Sequence, residues 1–368
     1  MVEWKKLGEV CKLERGVRVV KKELQEEGQI PVYQNSLTPL GFYEKNNYPK
    51  NTPFVICAGA AGEIGYSDKA FWAADDCTCI VCSSINSKYV YYCLMVKQHL
   101  LKSQVRKASV PRLSKDVIGK IQIPIPSLSE QNRIVGILDT FTASIENLKE
   151  QISQRRKQYE HYRDQLLDLE GKEGVEIKTL GEIGEFVRGN GIQKNDFVDE
   201  GYNCIHYGQI HARYGFSATE TISKIDESLY KKCKKAKKGD VVLATTSEDA
   251  EGVAKPFVWL GDDAAAVSGD AFIYHHNQNG KFMGHQFLTH KFMQFKVKYA
   301  TGAKVVRISG ENMAKYEVAL PSIEEQSRIV SILDTFEASI ANLGAQLKER
   351  EKQYEYYRNK LLTFEKAE

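Results

Sequence analysis

The sequence predicts an α+β protein: two mixed α/β globular domains joined by two long helices that pair as an antiparallel coiled coil with pseudo-two-fold symmetry. Three observations predict it. One stretch of the chain occurs twice, that stretch is apolar at coiled-coil spacing, and the region ahead of each copy alternates short strand-like runs with turns and brief helical patterns. The repeat covers 126–170, PSLSEQNRIVGILDTFTASIENLKEQISQRRKQYEHYRDQLLDLE, and 321–365, PSIEEQSRIVSILDTFEASIANLGAQLKEREKQYEYYRNKLLTFE; roughly 28 of about 45 positions are identical without a gap.

The apolar positions of the first copy are Ile134, Leu138, Phe141, Ile145, Leu148, Ile152, Tyr159, Tyr162, Leu166 and Leu169. They step by four, then three, with Arg155 interrupting the seam. The second copy repeats the pattern from Ile329 through Leu333, Phe336 and Ile340 to Phe364, with Arg350 at the same break. That spacing keeps one stripe facing a partner helix and calls for a left-handed coiled coil. Each copy opens on a proline and a capping-box pattern, Ser127 with Glu130 and Ser322 with Glu325. A helix of roughly 40 residues is about 60 Å long.

The repeat extends beyond the helices. Trp4 to Val10 resembles 176–183, Glu14-Arg15-Gly16 resembles Val187-Arg188-Gly189, and Val110-Pro111-Arg112-Leu113-Ser114 answers Val305-Val306-Arg307-Ile308-Ser309. The chain therefore divides into a first globular domain (1–125), a central helix and linker (126–172), a second globular domain (173–319) and a C-terminal helix (320–368). The second globular region is about 22 residues longer, and between the anchors the two have little sequence in common. In the first, 54–58 and 78–82 read as strands and 88–104 as a helix on Tyr92, Met95, Val96, His99 and Leu100. In the second, 240–245 and 257–260 read as strands, 286–299 as a helix and 304–308 as extended chain. Gly171 to Gly174 reads as the linker.

Composition sets limits on function. The apolar fraction is 42% and the charged fraction 27%, ordinary for a soluble globular protein. No apolar run approaches a membrane helix and the start is no signal peptide, so no membrane association is expected. Eight cysteines in 368 residues are too few for a disulfide scaffold and fit a reducing, cytoplasmic setting. The formal net charge is only +3, so any nucleic-acid surface is local.

Motifs for catalysis are missing from the sequence. It has no phosphate-binding loop, no H-E-x-x-H zinc helix and no G-x-S-x-G elbow. The Asn/Asp-Pro-Pro-aromatic tetrapeptide of amino-methyltransferases and the acidic–lysine pattern of metal-dependent nucleases are also absent. Gly59, Gly62 and Gly65 only loosely imitate a cofactor loop. Cys77, Cys79 and Cys82 lack the paired spacing of zinc sites and read as small buried side chains. No cofactor or metal is expected.

Basic and amide-rich loops carry the functional signal. Six lysines fall in 231–238, Lys234 and Lys235 at the centre; such a run is either a solvated face or a phosphate-neutralising one. Lys102, Arg106, Lys107, Arg112 and Lys115 cluster ahead of the first long helix; Lys296, Lys298, Lys304 and Arg307 cluster ahead of the second. Gln34, Asn35 and Ser36, and Gln209 with His211 and Arg213, are side chains suited to reading base edges, because amides and guanidinium groups bind adenine and guanine with two hydrogen bonds each. A competing reading is a coiled-coil scaffold whose globular domains bind other proteins.

The sequence resembles the specificity subunit of type I restriction-modification systems. The resemblance rests on Trp4-Lys5-Lys6-Leu7-Gly8-Glu9-Val10, on the duplicated P-S-x-x-E-Q-x-R-I-V helix start at Pro126 and Pro321, and on 238–248, which includes Ser247 and looks like part of a target recognition domain. It implies two target recognition domains, each reading one half of a split double-stranded DNA site. It further implies assembly with two methylation subunits, which carry the S-adenosylmethionine chemistry, and with restriction subunits. The two domains differ in sequence, so the implied target is asymmetric, and the chain itself is implied to be non-catalytic.

Overall fold

The computed structural model describes residues 2–107, 109–302 and 305–365. It divides into two compact units, Met1–Glu150 with Gly344–Glu368, and Gln151–Leu343. Each long helix thus gives one half of itself to each unit.

In the first unit, strand Glu3–Lys6 pairs antiparallel with Gln122–Ile125, Glu3 opposite Ile125. The chain therefore enters and leaves the globular part side by side. Between them lies a four-stranded antiparallel sheet in the order Lys12–Arg15, Cys77–Val81, Pro53–Ile56, Ile64–Tyr66. A three-stranded sheet follows the order Gly41–Tyr43, Ile30–Tyr33, Trp72–Ala73, the last pair parallel. Leu7, Val55, Ile80, Tyr89, Leu94 and Ile118 form the core with Ile134 and Leu138 of the long helix.

The second unit repeats this plan. Strand Glu176–Thr179 pairs with Glu317–Leu320. One sheet runs Gly184–Arg188, Ala271–His276, Val241–Ala244, Lys255–Trp259; the other runs Ser223–Ile225, Tyr202–Ile205, Ala265–Val267, again with the last pair parallel. Edge strands are added to these two sheets: Phe197–Val198, Ser217–Ala218 and Lys235–Ala236. Interiors that share little sequence therefore share neighbour order and strand sense throughout. The inner strands are buried on both faces along nearly their whole length, and such positions tolerate many apolar side chains of similar volume, so topology outlasts sequence identity.

The long helices are Leu128–Leu167 and Ile323–Leu362, 40 residues each. In the first unit the Phe141 ring stacks on Tyr357 (5.4 Å) and Lys149 meets Glu351 (3.5 Å). In the second, Tyr162 stacks on Phe336 (5.4 Å) and the Tyr159 hydroxyl donates to Glu337 (3.4 Å). Partner numbers fall as helix numbers rise, so the pairing is antiparallel in both. The arginine at the seam break is used: the Arg350 guanidinium lies 5.8 Å over Phe141. At each helix start the serine hydroxyl caps the glutamate amide, but the glutamate carboxylate turns to the next arginine, Glu130 to Arg133 and Glu325 to Arg328, both at 2.7 Å. The linker turns on Gly171 and Gly174, both at positive φ.

One expected helix is split and another starts late. The first is Ser87–Val96 and Gln98–Ser103, broken at Lys97, and its buried face is Tyr89, Val90, Tyr92, Cys93 and Leu94, leaving His99 and Leu100 exposed. The second, expected over 286–299, is helical only over His290–Tyr299, where Thr289 caps the start through its hydroxyl; Gln286 instead ends a separate helix, Gly280–Gln286, that the sequence reading did not include. Of the cysteines weighed as zinc ligands, Cys77 and Cys79 are buried in their strand, where desolvation pushes both thiols up, and Cys82 Sγ lies 2.9 Å from Cys11 Sγ.

Candidate nucleic-acid interface

Three loops converge in each unit, and they are topologically the same three. They follow the second sheet's central strand, follow the first sheet's inner strand, and precede the last short helix before the frame strand.

In the first unit these are 34–38, 57–63 and 104–113. Ala60 N donates to the Asn35 carbonyl (2.9 Å), Gly59 N to the Pro111 carbonyl (3.2 Å) and Leu113 N to the Cys57 carbonyl (2.8 Å). Arg106 and Arg112 exchange both backbone bonds, and Arg112 also bridges to Ala58. Gly59 must be glycine: it has φ +79°, and a Cβ would sit 2.8 Å from the Asn35 carbonyl oxygen. In the second unit the counterparts are the short helix Tyr207–Ala212, the segment 245–254, and residues 300–302 with 305–307. Thr301 and Arg307 exchange backbone bonds as Arg106 and Arg112 do, and strand Val306–Arg307 pairs with Thr246–Ser247. Arg307 thus sits opposite Thr246 as Arg112 sits opposite Ala58. The recurrence of arginine ahead of each long helix has a geometric counterpart: both are exposed at the crossing of two loops.

Asn35, Lys102, Arg106 and Lys107 are exposed around the first cluster, Lys102 packing against Gly62 and lying 4.0 Å from Glu63. Gln34 is half-buried with its amide 3.5 Å from Asp76, and the Ser36 hydroxyl donates to the Thr38 carbonyl. In the second cluster a cavity of about 420 Å³ brings together His211, Ser247, Tyr207, Asp249 and Val305. His211 Nε2 lies 2.9 Å from the Thr246 carbonyl, and Arg213 is exposed. Gln209 corrects the expectation of a base-reading amide. It is 9% exposed and its Nε2 donates inward to Ser223 at 2.6 Å. Lys234 and Lys235 lie on the outer edge of the second sheet. Lys235 donates to the Cys233 carbonyl and covers the Tyr230 ring at 4.7 Å; neighbouring Lys231 and Lys238 pair with Glu227 and Asp262. Lys304 falls outside the described residues.

The sequence places Lys296 in the basic cluster ahead of the second long helix, but its side chain is 3% exposed. Its ammonium donates to the carbonyls of Glu251 (2.6 Å) and Val253 (2.8 Å), and burial holds its pKa down to about 8. It ties down the 247–254 loop. Lys255, which sequence reading passed over, pins the 207–212 helix by donating to the His211 carbonyl. A lysine letter gives no sign of which way its long arm turns.

A family model described as Type I restriction modification DNA specificity domain matches residues 1–155 and 172–351. The chain belongs to this family. It is 31% identical over 396 residues to the Type I restriction enzyme EcoR124I/EcoR124II specificity subunit of Escherichia coli, covering 100% of this chain and 95% of that protein. The type I restriction-modification system S subunit from M. genitalium has the same fold, with a TM-score of 0.66 at 17% identity over 99% of this chain and 97% of that one. A chain from the structure titled "Structural basis underlying complex assembly and conformational transition of the type I R-M system" gives 0.60 at 16%, over 98% and 97%. The chain is thus a non-catalytic DNA specificity subunit, its two β-sheet domains are target recognition domains, and its long helices pack together.

Proposed function

We propose that each target recognition domain reads one half of a bipartite, asymmetric double-stranded DNA site through its own three-loop cluster. The paired long helices set the gap between the halves and dock two methylation subunits, with restriction subunits joining the same cytoplasmic complex. The carrying observation is the repeated crossing at Arg112 and Arg307: the same backbone scaffold presents an exposed arginine in both domains, while the loops around it differ. The common arginine, with Lys102, Arg106 and Lys107 in the first domain, supplies phosphate contact; the unlike loops, with Asn35 in one and His211, Arg213 and Ser247 in the other, supply base readout. Gln34 and Ser36 belong to the first domain's loops, whereas Lys234 and Lys235 would extend the basic surface at the sheet edge; Lys304 is proposed as a further contact from its sequence position alone. Reaction chemistry, including S-adenosylmethionine binding, belongs to the other subunits.

The E. coli relative, described as a restriction-enzyme specificity subunit, and the neighbour whose title concerns complex assembly of the type I R-M system support this reading. Among the described residues no helix is long and apolar enough to cross a membrane. Methylome sequencing of a host carrying this chain with its methylation partner tests the proposal. The expected result is one modified motif made of two unlike halves around a fixed gap. A continuous motif, two identical halves or no modification would overturn it.

A further inference from the structure

The dipeptides Arg15-Gly16 and Arg188-Gly189 hold the same place in the two domains. Each arginine ends the outer strand of the first sheet, Arg15 opposite Thr78 and Arg188 opposite Phe272. Each glycine is pressed against the turn beyond the neighbouring strand. A Cβ on Gly16 would lie 2.2 Å from the Ala74 carbonyl oxygen, and one on Gly189 2.3 Å from that of Ser268. That contact explains the glycine and leaves the arginine unexplained.

Both arginines are exposed, yet both are pinned alike. Arg15 Nε donates to the Asp75 carbonyl at 2.7 Å, and Arg188 Nε to the Gly269 carbonyl at 2.8 Å. A guanidinium held through Nε has its orientation fixed while the two Nη groups point away from that bond, which is the edge that forks onto a phosphate. The turns that hold them also brace the second loop of each cluster: Cys57 N donates to the Asp76 carbonyl (2.6 Å), and Thr245 N to the Asp270 carbonyl (3.0 Å). In the first domain Arg15 and Arg112 line one cavity of about 220 Å³ with Asp75, Asp76 and Lys115. In the second, an Arg188 Nη lies 3.7 Å from the Asp270 carboxylate, a long, exposed pairing of little energetic weight.

We propose that Arg15 and Arg188 each bind a backbone phosphate of the half-site read by their own domain. The inference rests on the DNA-reading function above and adds a contact to it. Two domains that read different bases have one feature of their ligands in common, the sugar–phosphate backbone, so a residue kept in the same orientation in both serves that shared part. With Arg112 and Arg307, each domain then holds two equivalent cationic contacts flanking loops that differ.

The test uses the chain assembled with its methylation partner, as wild type, Arg15→Gln, Arg188→Gln and the double variant. Affinity is measured for the target duplex and for a random duplex between about 50 and 200 mM salt. Each single variant is expected to weaken both duplexes by a similar factor, about three- to tenfold, and to flatten the slope of log K against log salt by about 0.9. The charge-keeping Arg15→Lys and Arg188→Lys variants lose the Nε bond and the two-pronged Nη edge but keep the charge, so they should bind more weakly than wild type with the wild-type slope. Unchanged affinity and slope in the Gln variants, loss confined to the target duplex, or Lys variants that flatten as the Gln variants do would each overturn the proposal. Where a Gln variant melts below assay temperature, phosphate-ethylation interference on Arg15→Met or Arg188→Met, which removes the charge and keeps an apolar stem, replaces it. Weakened interference at one phosphate of the matching half-site is expected, and a wild-type pattern counts against the contact. A wild-type complex without salt-dependent duplex binding would instead defeat the DNA-reading function itself.

Discussion

Gln131 and Gln326 are 2% and 0% exposed, although both stand in the first turn of a long, highly charged helix. Gln131 Oε1 accepts from Asn86 N (3.0 Å) and its Nε2 donates to the Pro126 carbonyl (2.9 Å). Gln326 does the same with Asn279 N (3.1 Å) and the Pro321 carbonyl (3.0 Å). Asn86 and Asn279 in turn cap the helices Ser87–Val96 and Gly280–Gln286. One amide therefore fixes the start of each long helix to the cap of a domain helix. Gln131→Leu removes both partners from buried backbone groups, and a loss of about 1–3 kcal/mol is expected in denaturant unfolding, with Gln326→Leu behaving alike. Equal stability of the leucine variants and wild type would refute this role. At this scale the sequence was only half legible. The duplicated Pro-Ser-x-x-Glu-Gln start marked where to look, but Gln209 and Lys296 read as ligand-facing and are turned inward, because a side chain's letter does not encode its direction.

Legibility was greatest in the long helices, whose four-three stripe is a local property summed over many turns. Inside each unit the stripe meets its antiparallel counterpart, through Phe141 and Tyr357 in one and Tyr162 and Phe336 in the other. Neither helix is interrupted between the residues it gives to one unit and those it gives to the next. Under the proposed function, inserting one heptad into both helices keeps the stripe in phase and lengthens the connection by about 10 Å. The modified motif should then keep its two halves and widen its gap by about three base pairs. An unchanged gap in methylome data would remove the helices from the measurement of spacing. The sheets were less legible: Arg15 pairs with Thr78 and Arg188 with Phe272, partners too far along the chain for any local window to join.

At the scale of the whole molecule, the two units are expected to respond differently to acid. In the second unit burial pushes His276 down to about 4 and His285 to about 3, so both are neutral in the folded state well below the ordinary value near 6.5. Between those values the unfolded chain binds more protons than the folded one, so this contribution is intact above pH 6.5 and is lost as pH falls. At pH 5 the penalty is about 2 kcal/mol per histidine. The first unit's histidine, His99, is exposed. Hydrogen-exchange protection factors at pH 7.5 and pH 5 should therefore fall more in Val241–Ala244 and Ala271–His276 than in Pro53–Ile56 and Cys77–Val81. Equal losses would show that other groups govern the acid response. A different consequence follows from the way each domain begins and ends on adjacent strands, Glu3 beside Ile125 and Glu176 beside Leu320. A segment whose two ends emerge together can be replaced by another of the same plan without moving the strands that hold it. Under the proposed function, and because both slots share one topology, combining such segments freely would give a number of DNA targets that grows as the square of the number of segments, with no new fold required.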